Sequence, residues 1–278
     1  DKDIKNTRVK MRKIYIFIYF ILILLIILSV VYIIKFFSLR KDAIEESNLL
    51  NIYDNEVIKE VSEEPNQQII TEETKQTANQ ESERMIKVRK LKEENSDIIG
   101  WLEIPNTSIN YPVLQGTDNE YYMTHNYKKE KSKNGSIFLT KEYDWTIPST
   151  NLLIYGHNLN NGTMFQELLK YSNETFYKDH STIRFTTADE DVEYEIISVF
   201  KSRVYYKSEK NVFRYYYFVN AQTEEEYNQF VENAKKASLY NIDATAKYGD
   251  QLITLSTCSY HVEDGRFAVV GRKMAIEK

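Results

Sequence analysis

The sequence predicts a mainly β domain joined to a membrane by one N-terminal helix. Three observations predict it. Residues 14–34 carry no charge and are bounded by Lys13 and Lys35. Beyond residue 97, short apolar runs recur with turn signals every ten to twenty residues, the pattern of a barrel or a sandwich. Just ahead of the last two such runs, residues 223–239 have the spacing of an amphipathic helix.

The N-terminal run comes first. A helix of 21 residues rises about 31 Å, which matches a hydrocarbon core of about 30 Å. A buried globular helix is rarely apolar on every face. The segment after the run, SLRKDA, offers no small-residue cleavage site, so the expectation is an uncleaved anchor over residues 14–34. Residues 1–13 form a basic tail with Lys2, Lys5, Arg8, Lys10, Arg12 and Lys13. The positive-inside rule then puts the N-terminus in the cytoplasm and the long C-terminal part outside a cell membrane crossed once, although Lys35, Arg40 and Lys41 oppose it.

Residues 35–84 read as an acidic tether, partly helical. Residues 42–84 carry three basic against twelve acidic residues and almost no aromatics, a composition that cannot bury a core. Ile44, Leu49, Leu50, Val57 and Ile58 allow a helix over residues 42–61; from Pro65 on the chain reads as spacer. As a coil, such a segment reaches about 35 Å. With net charge −5, 22 tyrosines, eight glycines and four prolines, the chain as a whole is neither collagenous nor low in complexity. It also lacks the basic stripe of a nucleic-acid binder.

The folded domain is expected over residues 85–278. A helix is predicted over 85–95, then two short strands around Trp101–Ile104 and Ile109–Leu114, joined at Pro105 and Asn106. Strands are predicted at 135–140, 151–155, 182–186, 192–200 and 215–219, and one or two helical turns at 164–171. Thr223 and Glu226 have the spacing of a capping box, with Tyr227, Phe230, Val231 and Ala234 on one face of the helix that follows. Residues 252–257 and 267–270 are the last two strands.

Three reactive side chains fall at strand ends. Cys258, the one cysteine of the chain, ends the 252–257 strand; Arg266 opens the next; His157 follows residues 151–155. A core cysteine and a surface arginine would look the same in isolation, since free cysteine is among the most buried residue types. Cysteine chemistry favours a reactive site. A thiol becomes a useful nucleophile when a cation favours the thiolate. Histidine can supply that cation or protonate a leaving amine, and arginine can hold an oxyanion with a planar fork of donors. An exported chain with one cysteine has no internal disulfide, which marks the thiol as reactive or intermolecular. His261, three residues past Cys258, competes with His157, while His125 and His180 sit in polar surroundings. Arg272 shares the strand parity of Arg266. Ser256 shares its face of the strand with Cys258, and residues 215–218 (YYYF) offer either a groove wall or strand core. There is no HExxH, paired cysteine or EF-hand loop, and neither a metal nor a cofactor is expected.

The motif TLSTC at 254–258, Arg266 eight residues on in GRFAVVGRK, and an upstream YGHN at 155–158 together resemble the sortases, membrane-anchored cysteine transpeptidases of Gram-positive bacteria. The resemblance runs from about Met85 to the C-terminus. The pattern GWL.IP.T.I.YPV.QG.DN.YY at 100–122, and a substantial helix before the last two strands, resemble class B in particular. It implies a closed β-barrel with the catalytic residues Cys258, His157 and Arg266 converging at its rim. Cys258 would attack the carbonyl of a threonine in the C-terminal sorting signal of a surface protein. The thioacyl-enzyme would pass to an amine of a peptidoglycan precursor or cross-bridge. Asn119 and Met123, in DNEYYM, resemble positions that contact the sorting signal, although the family more often has Leu where Met123 stands; Ser256 is a further candidate contact. A peptidase resolving its acyl-enzyme with water, and an anchored module with an inert thiol, are the alternatives. A pilus-polymerising member would carry a lid with an aspartate-aromatic motif and often a second membrane segment, and neither is seen.

Overall fold

The computed structural model of the protein describes residues 2–48 and 83–275. By contacts the chain divides into two units, residues 1–42 and 43–278. The first is built on α1, Lys2–Ser47. Within it, Met11–Glu45 is long and apolar enough to be a candidate membrane span. The predicted anchor, residues 14–34, lies inside one helix with no break at either border. Residues 49–82, most of the predicted tether, lie outside the described residues.

The second unit is a closed barrel of eight strands. They are β1 (Ile98–Glu103), β2 (Asn110–Leu114), β3 (Ile137–Leu139), β4 (Asn151–Tyr155), β5 (Thr182–Thr186), β6 (Asp191–Arg203), β7 (Leu252–Cys258) and β8 (Gly265–Lys273). Around the barrel the order is β1-β2-β3-β4-β7-β8-β6-β5. β4 and β7 run parallel, as do β2 and β3, and the other pairs are antiparallel.

Alternation along the strands sorts side chains into an interior and an outer wall. Ile253 and Leu255 of β7, and Phe267 and Val269 of β8, join Tyr111, Ile154, Phe185 and Tyr194 in the main core. Leu252 of β7, with Ala268 and Val270 of β8, faces outward into a second cluster with Tyr215, Tyr227, Phe230 and Val231. A third cluster covers the outside of β1–β3 with Val88 and Leu91 of α2 (Glu83–Glu94) and with Tyr122. The barrel is thus buried inside and patched outside.

α4 (Glu224–Ala237) supplies the second cover, and its start behaves as its sequence predicts. The Thr223 hydroxyl accepts from the Glu226 N–H at 3.2 Å, while the Glu226 carboxylate reaches back to the Gln222 N–H. Tyr227, Phe230, Val231 and Ala234 are its buried face. Residues 215–219 are not the predicted strand. Tyr215–Tyr217 form a 3₁₀ turn. The reason is physical: four consecutive aromatics have no period of two, and a closed barrel leaves no free edge for a further strand. The short helix α3 (Glu174–Asp179) and the 3₁₀ turn Gln166–Ser172 fill the connection from β4 to β5.

Candidate active site

The ends of β4, β7 and β8 bring the three predicted residues to one place. Cys258, last of β7, is the register partner of Arg266 on β8. β4 runs beside β7 with Tyr155 opposite Ser256, so His157 emerges two residues past that pair. All three line a cavity of about 200 Å³, with Asn119, Met123, Phe138, Tyr155, Gly156, Ser256 and Thr257. The site lies on the outer wall, at the C-terminal ends of β4 and β7.

One backbone and two side-chain hydrogen bonds lock the two strand ends together. The Gly156 N–H donates to the Ser256 carbonyl at 3.2 Å. Thr257 Oγ1 donates to the Gly156 carbonyl at 2.7 Å, and Asn158 Nδ2 donates to the Cys258 carbonyl at 3.0 Å. These staples run in opposite directions across the gap and flank His157 on both sides.

The His157 ring is oriented by backbone. Nε2 lies 2.7 Å from the Met123 carbonyl, the last residue of the 3₁₀ turn Tyr121–Met123. A carbonyl only accepts, so Nε2 carries the proton and Nδ1 is the atom left for chemistry. Among the described residues no hydrogen bond joins Cys258 Sγ to the ring; such bonds are often long before substrate is bound. Arg266 Nη1 donates to the carbonyls of Gly265 at 3.0 Å and Asp264 at 3.3 Å, which fixes the guanidinium and leaves Nε and Nη2 without a partner among the described residues.

The competing residues are engaged elsewhere. His261 Nδ1 shares a hydrogen with Ser259 Oγ; burial, then Lys201, hold its pKa below the usual imidazole value. His125 stacks on Tyr121 and His180 on Phe176, each with Nδ1 on a backbone carbonyl. Arg272 is paired with Glu195 at 2.7 Å, and its β7 partner is Leu252, about 20 Å along the strand from Cys258.

The substrate-contact candidates share the cavity but differ in availability. Met123 is 42 % exposed. The Asn119 amide is used on both sides, donating to Glu142 and accepting from the Lys141 N–H. Burial pushes the Glu142 carboxyl up, but hydrogen bonds from Thr140 and Asn119 outweigh that and hold it below the usual range. Ser256 is 1 % exposed, with its hydroxyl 2.7 Å from that of Tyr215. Burial first of all raises the Tyr215 pKa far above that of a free tyrosine, so its hydroxyl stays neutral. Among the described residues no group of three or more His, Cys, Asp or Glu is placed to hold a metal.

Sequence reasoning gave Tyr155, Phe138 and Asn158 no role at the site, although Tyr155 and Asn158 stand in the YGHN motif. Tyr155 packs against both outer clusters and forms the floor between them. Its position before Gly-His, at the outward parity of β4, was the available signal. The bond of Asn158 could not be read from that motif, because its partner is a carbonyl 100 residues away.

Comparison with known proteins bears on the family and the fold. The family model of the sortase domain matches residues 102–274. Sortase B of Listeria monocytogenes is 34 % identical over 202 residues, covering 70 % of this chain and 77 % of that protein. The crystal structure of sortase B from B. anthracis is 33 % identical with TM-score 0.60, covering 68 % of this chain and 85 % of that one. The Staphylococcus aureus sortase B–substrate complex shares the fold at TM-score 0.66 and 24 % identity, covering 86 % and 97 %.

Proposed function

The chain belongs to the sortase family of cysteine transpeptidases, and from that premise we propose that it is a membrane-anchored class B enzyme joining surface proteins to the cell wall, with residues 85–278 as its catalytic domain. The observation that carries the assignment of roles is the register pairing of Cys258 with Arg266, beside His157, on one cavity.

Cys258 gives its thiol proton to His157 Nδ1, and Sγ attacks the carbonyl carbon of the threonine in a sorting signal. The developing oxyanion takes hydrogen bonds from the free face of the Arg266 fork, where aligned donors are worth more than in water. The carbon–nitrogen bond breaks as His157 Nδ1 gives its proton to the leaving amine. A thioester links enzyme and substrate. An amine of a peptidoglycan precursor or cross-bridge attacks that thioester, loses a proton to Nδ1 and forms the new amide, and the sulfur is released. Met123, Asn119 and Ser256 line the cavity where the signal would lie. Ser256 contributes through its backbone or after a shift of Tyr215, since its hydroxyl is already bonded. Residues 14–34 hold the enzyme in the cell membrane with the N-terminus cytoplasmic, so that domain and substrate meet outside.

The test is a reaction of purified protein with a small library of sorting peptides and an amine, read by mass spectrometry beside Cys258→Ala. The amide product and a thioacyl adduct, both lost in Cys258→Ala, are expected. Cleavage giving only the free acid would support the peptidase reading. No adduct across the library would leave an anchored module with an inert thiol.

A further inference from the structure

The carbonyl that orients His157 belongs to the turn Tyr121–Met123, and that turn is held by a polar clamp outside the cavity. Tyr122, 1 % exposed, donates its hydroxyl to Asp97 Oδ2 at 2.6 Å. Lys129 Nζ pairs with the same Asp97 oxygen at 3.0 Å. Asp118 Oδ1 accepts from the N–H groups of Glu120 and Tyr121 at 2.8 and 2.7 Å, opening the turn. The Ser136 N–H donates to the Tyr122 carbonyl at 2.8 Å. At Gly135, with φ +59°, a Cβ would lie 2.7 Å from the carbonyl oxygens of both Tyr122 and Met123. The backbone there can approach only because it bears no side chain.

Each bond holds a residue of the turn that ends at Met123, and through the turn restrains the direction of the Met123 carbonyl. That direction decides which imidazole nitrogen carries the proton, because the two ring nitrogens are distinguished by the bond one of them makes. On the transpeptidase reading of the site, we propose that Tyr122 and Asp97 are positioning residues for His157. Their bond sets the turn so that the neutral ring is the Nε2–H tautomer, with Nδ1 presented to the sulfur and the leaving amine. Neither touches the substrate. Burial raises the Tyr122 pKa and the Asp97 bond adds to it; for Asp97, burial is outweighed by its bonds to Tyr122 and Lys129. At neutral pH the clamp is therefore a hydroxyl on a carboxylate, one of the stronger hydrogen bonds available to a protein.

The experiment uses the full chain in detergent, as wild type, Tyr122→Phe, Asp97→Asn and Gly135→Ala. Side-chain ¹⁵N spectra of His157 read the tautomer without any substrate. The wild type should show one tautomer, with hydrogen on Nε2, and Tyr122→Phe, which keeps the buried ring, should show both. Turnover of sorting peptide plus amine should fall about tenfold in kcat with KM for the peptide unchanged, since only orientation is lost. Gly135→Ala should move the tautomer by pushing on the carbonyl directly. A single Nε2–H tautomer and wild-type kcat in both Tyr122→Phe and Asp97→Asn would overturn the proposal. Because the tautomer is read without turnover, an inactive wild type would sink the transpeptidase reading alone.

Discussion

Removing the Asn158 side chain should slow the reaction much more than it destabilises the fold. Asn158 Nδ2 donates to the Cys258 carbonyl at 3.0 Å, and Asn158 is 7 % exposed. Asn158→Ala deletes that donor and leaves a half-buried carbonyl short of a partner. A hydrogen bond contributes about 1 kcal/mol net, and an orphaned group costs somewhat more, so about 1.5 kcal/mol is expected. For a domain of this size that is a fall in Tm of about 3–6 °C. The staple also sets the distance between the backbone carrying His157 and the backbone carrying Cys258. A misplacement of 1 Å at reacting groups can cost about a hundredfold, so kcat should fall at least about tenfold. Thr257→Val removes the opposing staple, the 2.7 Å bond to the Gly156 carbonyl, and should behave alike. Both bonds close the same gap, so the double variant should lose less stability than the sum of the singles, by about 0.5 kcal/mol or more. Urea denaturation gives the energies and amine-dependent peptide ligation gives kcat. Wild-type Tm and kcat in Asn158→Ala, or strict additivity in the cycle, would refute the staple as the device that spaces the two residues.

Three further outcomes follow from the same structure. Arg266→Lys and Arg266→Met should each lower kcat by about a hundredfold, because neither presents two parallel donors to an oxyanion, while urea midpoints stay near wild type; a lysine variant at full rate would show that charge alone suffices. Gly156→Ala places a Cβ 2.4 Å from Ile137 Cδ1 and 2.7 Å from Phe165 Cδ2, an overpacking worth about 1–3 kcal/mol in urea unfolding; an unchanged midpoint would mean that Phe165 can yield. In acid, Asp97 and Glu167 should weaken the fold. In both, burial raises the carboxyl pKa but hydrogen bonds outweigh it, from Tyr122 and Lys129 to Asp97, and from Lys170 and Ser108 to Glu167. With folded values below the unfolded ones, the unfolded chain binds more protons in between. The stability they contribute is complete above about pH 4 and is lost as pH falls through the folded values. The urea midpoint should fall over that window, less so in Asp97→Asn, and a pH-independent midpoint would contradict the shifts.

Much of this was legible because it is periodic or local. Residues 252–257 and 267–270 alternate between Ile253, Leu255, Phe267 and Val269 inside and their neighbours outside. That parity puts Ser256 on the face of Cys258, while Arg266 is brought to them by its place at the neighbouring strand end and by the family resemblance. The Thr223 cap was readable for the same reason: one residue fixes the start of its own helix. The 215–218 aromatics misled, since high β-propensity there serves packing against Phe200 and Phe230 and no strand pairing is involved. Hidden altogether were contacts between distant residues through backbone atoms. The Met123 carbonyl on His157 and the Cys258 carbonyl on Asn158 leave no residue-type signature, because every residue carries a carbonyl.

The outward placement of the thiol has its own logic. A side chain on the inner parity of β7 would point into a packed interior that no polypeptide can enter, so a nucleophile acting on a polypeptide, the role proposed for Cys258, belongs on the outer parity. There the wall needs a cover, or its apolar residues face water. Tyr215 and α4 supply it over Leu252, Ala268 and Val270, and it extends as far as Ser256, which is 1 % exposed. Two residues on, at the same parity, Cys258 is only partly buried. The cover therefore ends within one side-chain repeat of the sulfur. On its far side the outer cluster of Tyr122 and Phe138 begins, with Tyr155 touching both. The cavity is the gap between two packed covers, and its width is set by how far each extends along the wall. Lengthening either by one bulky side chain would bury the thiol, and trimming either would expose Tyr155 and loosen the floor against which a peptide must lie.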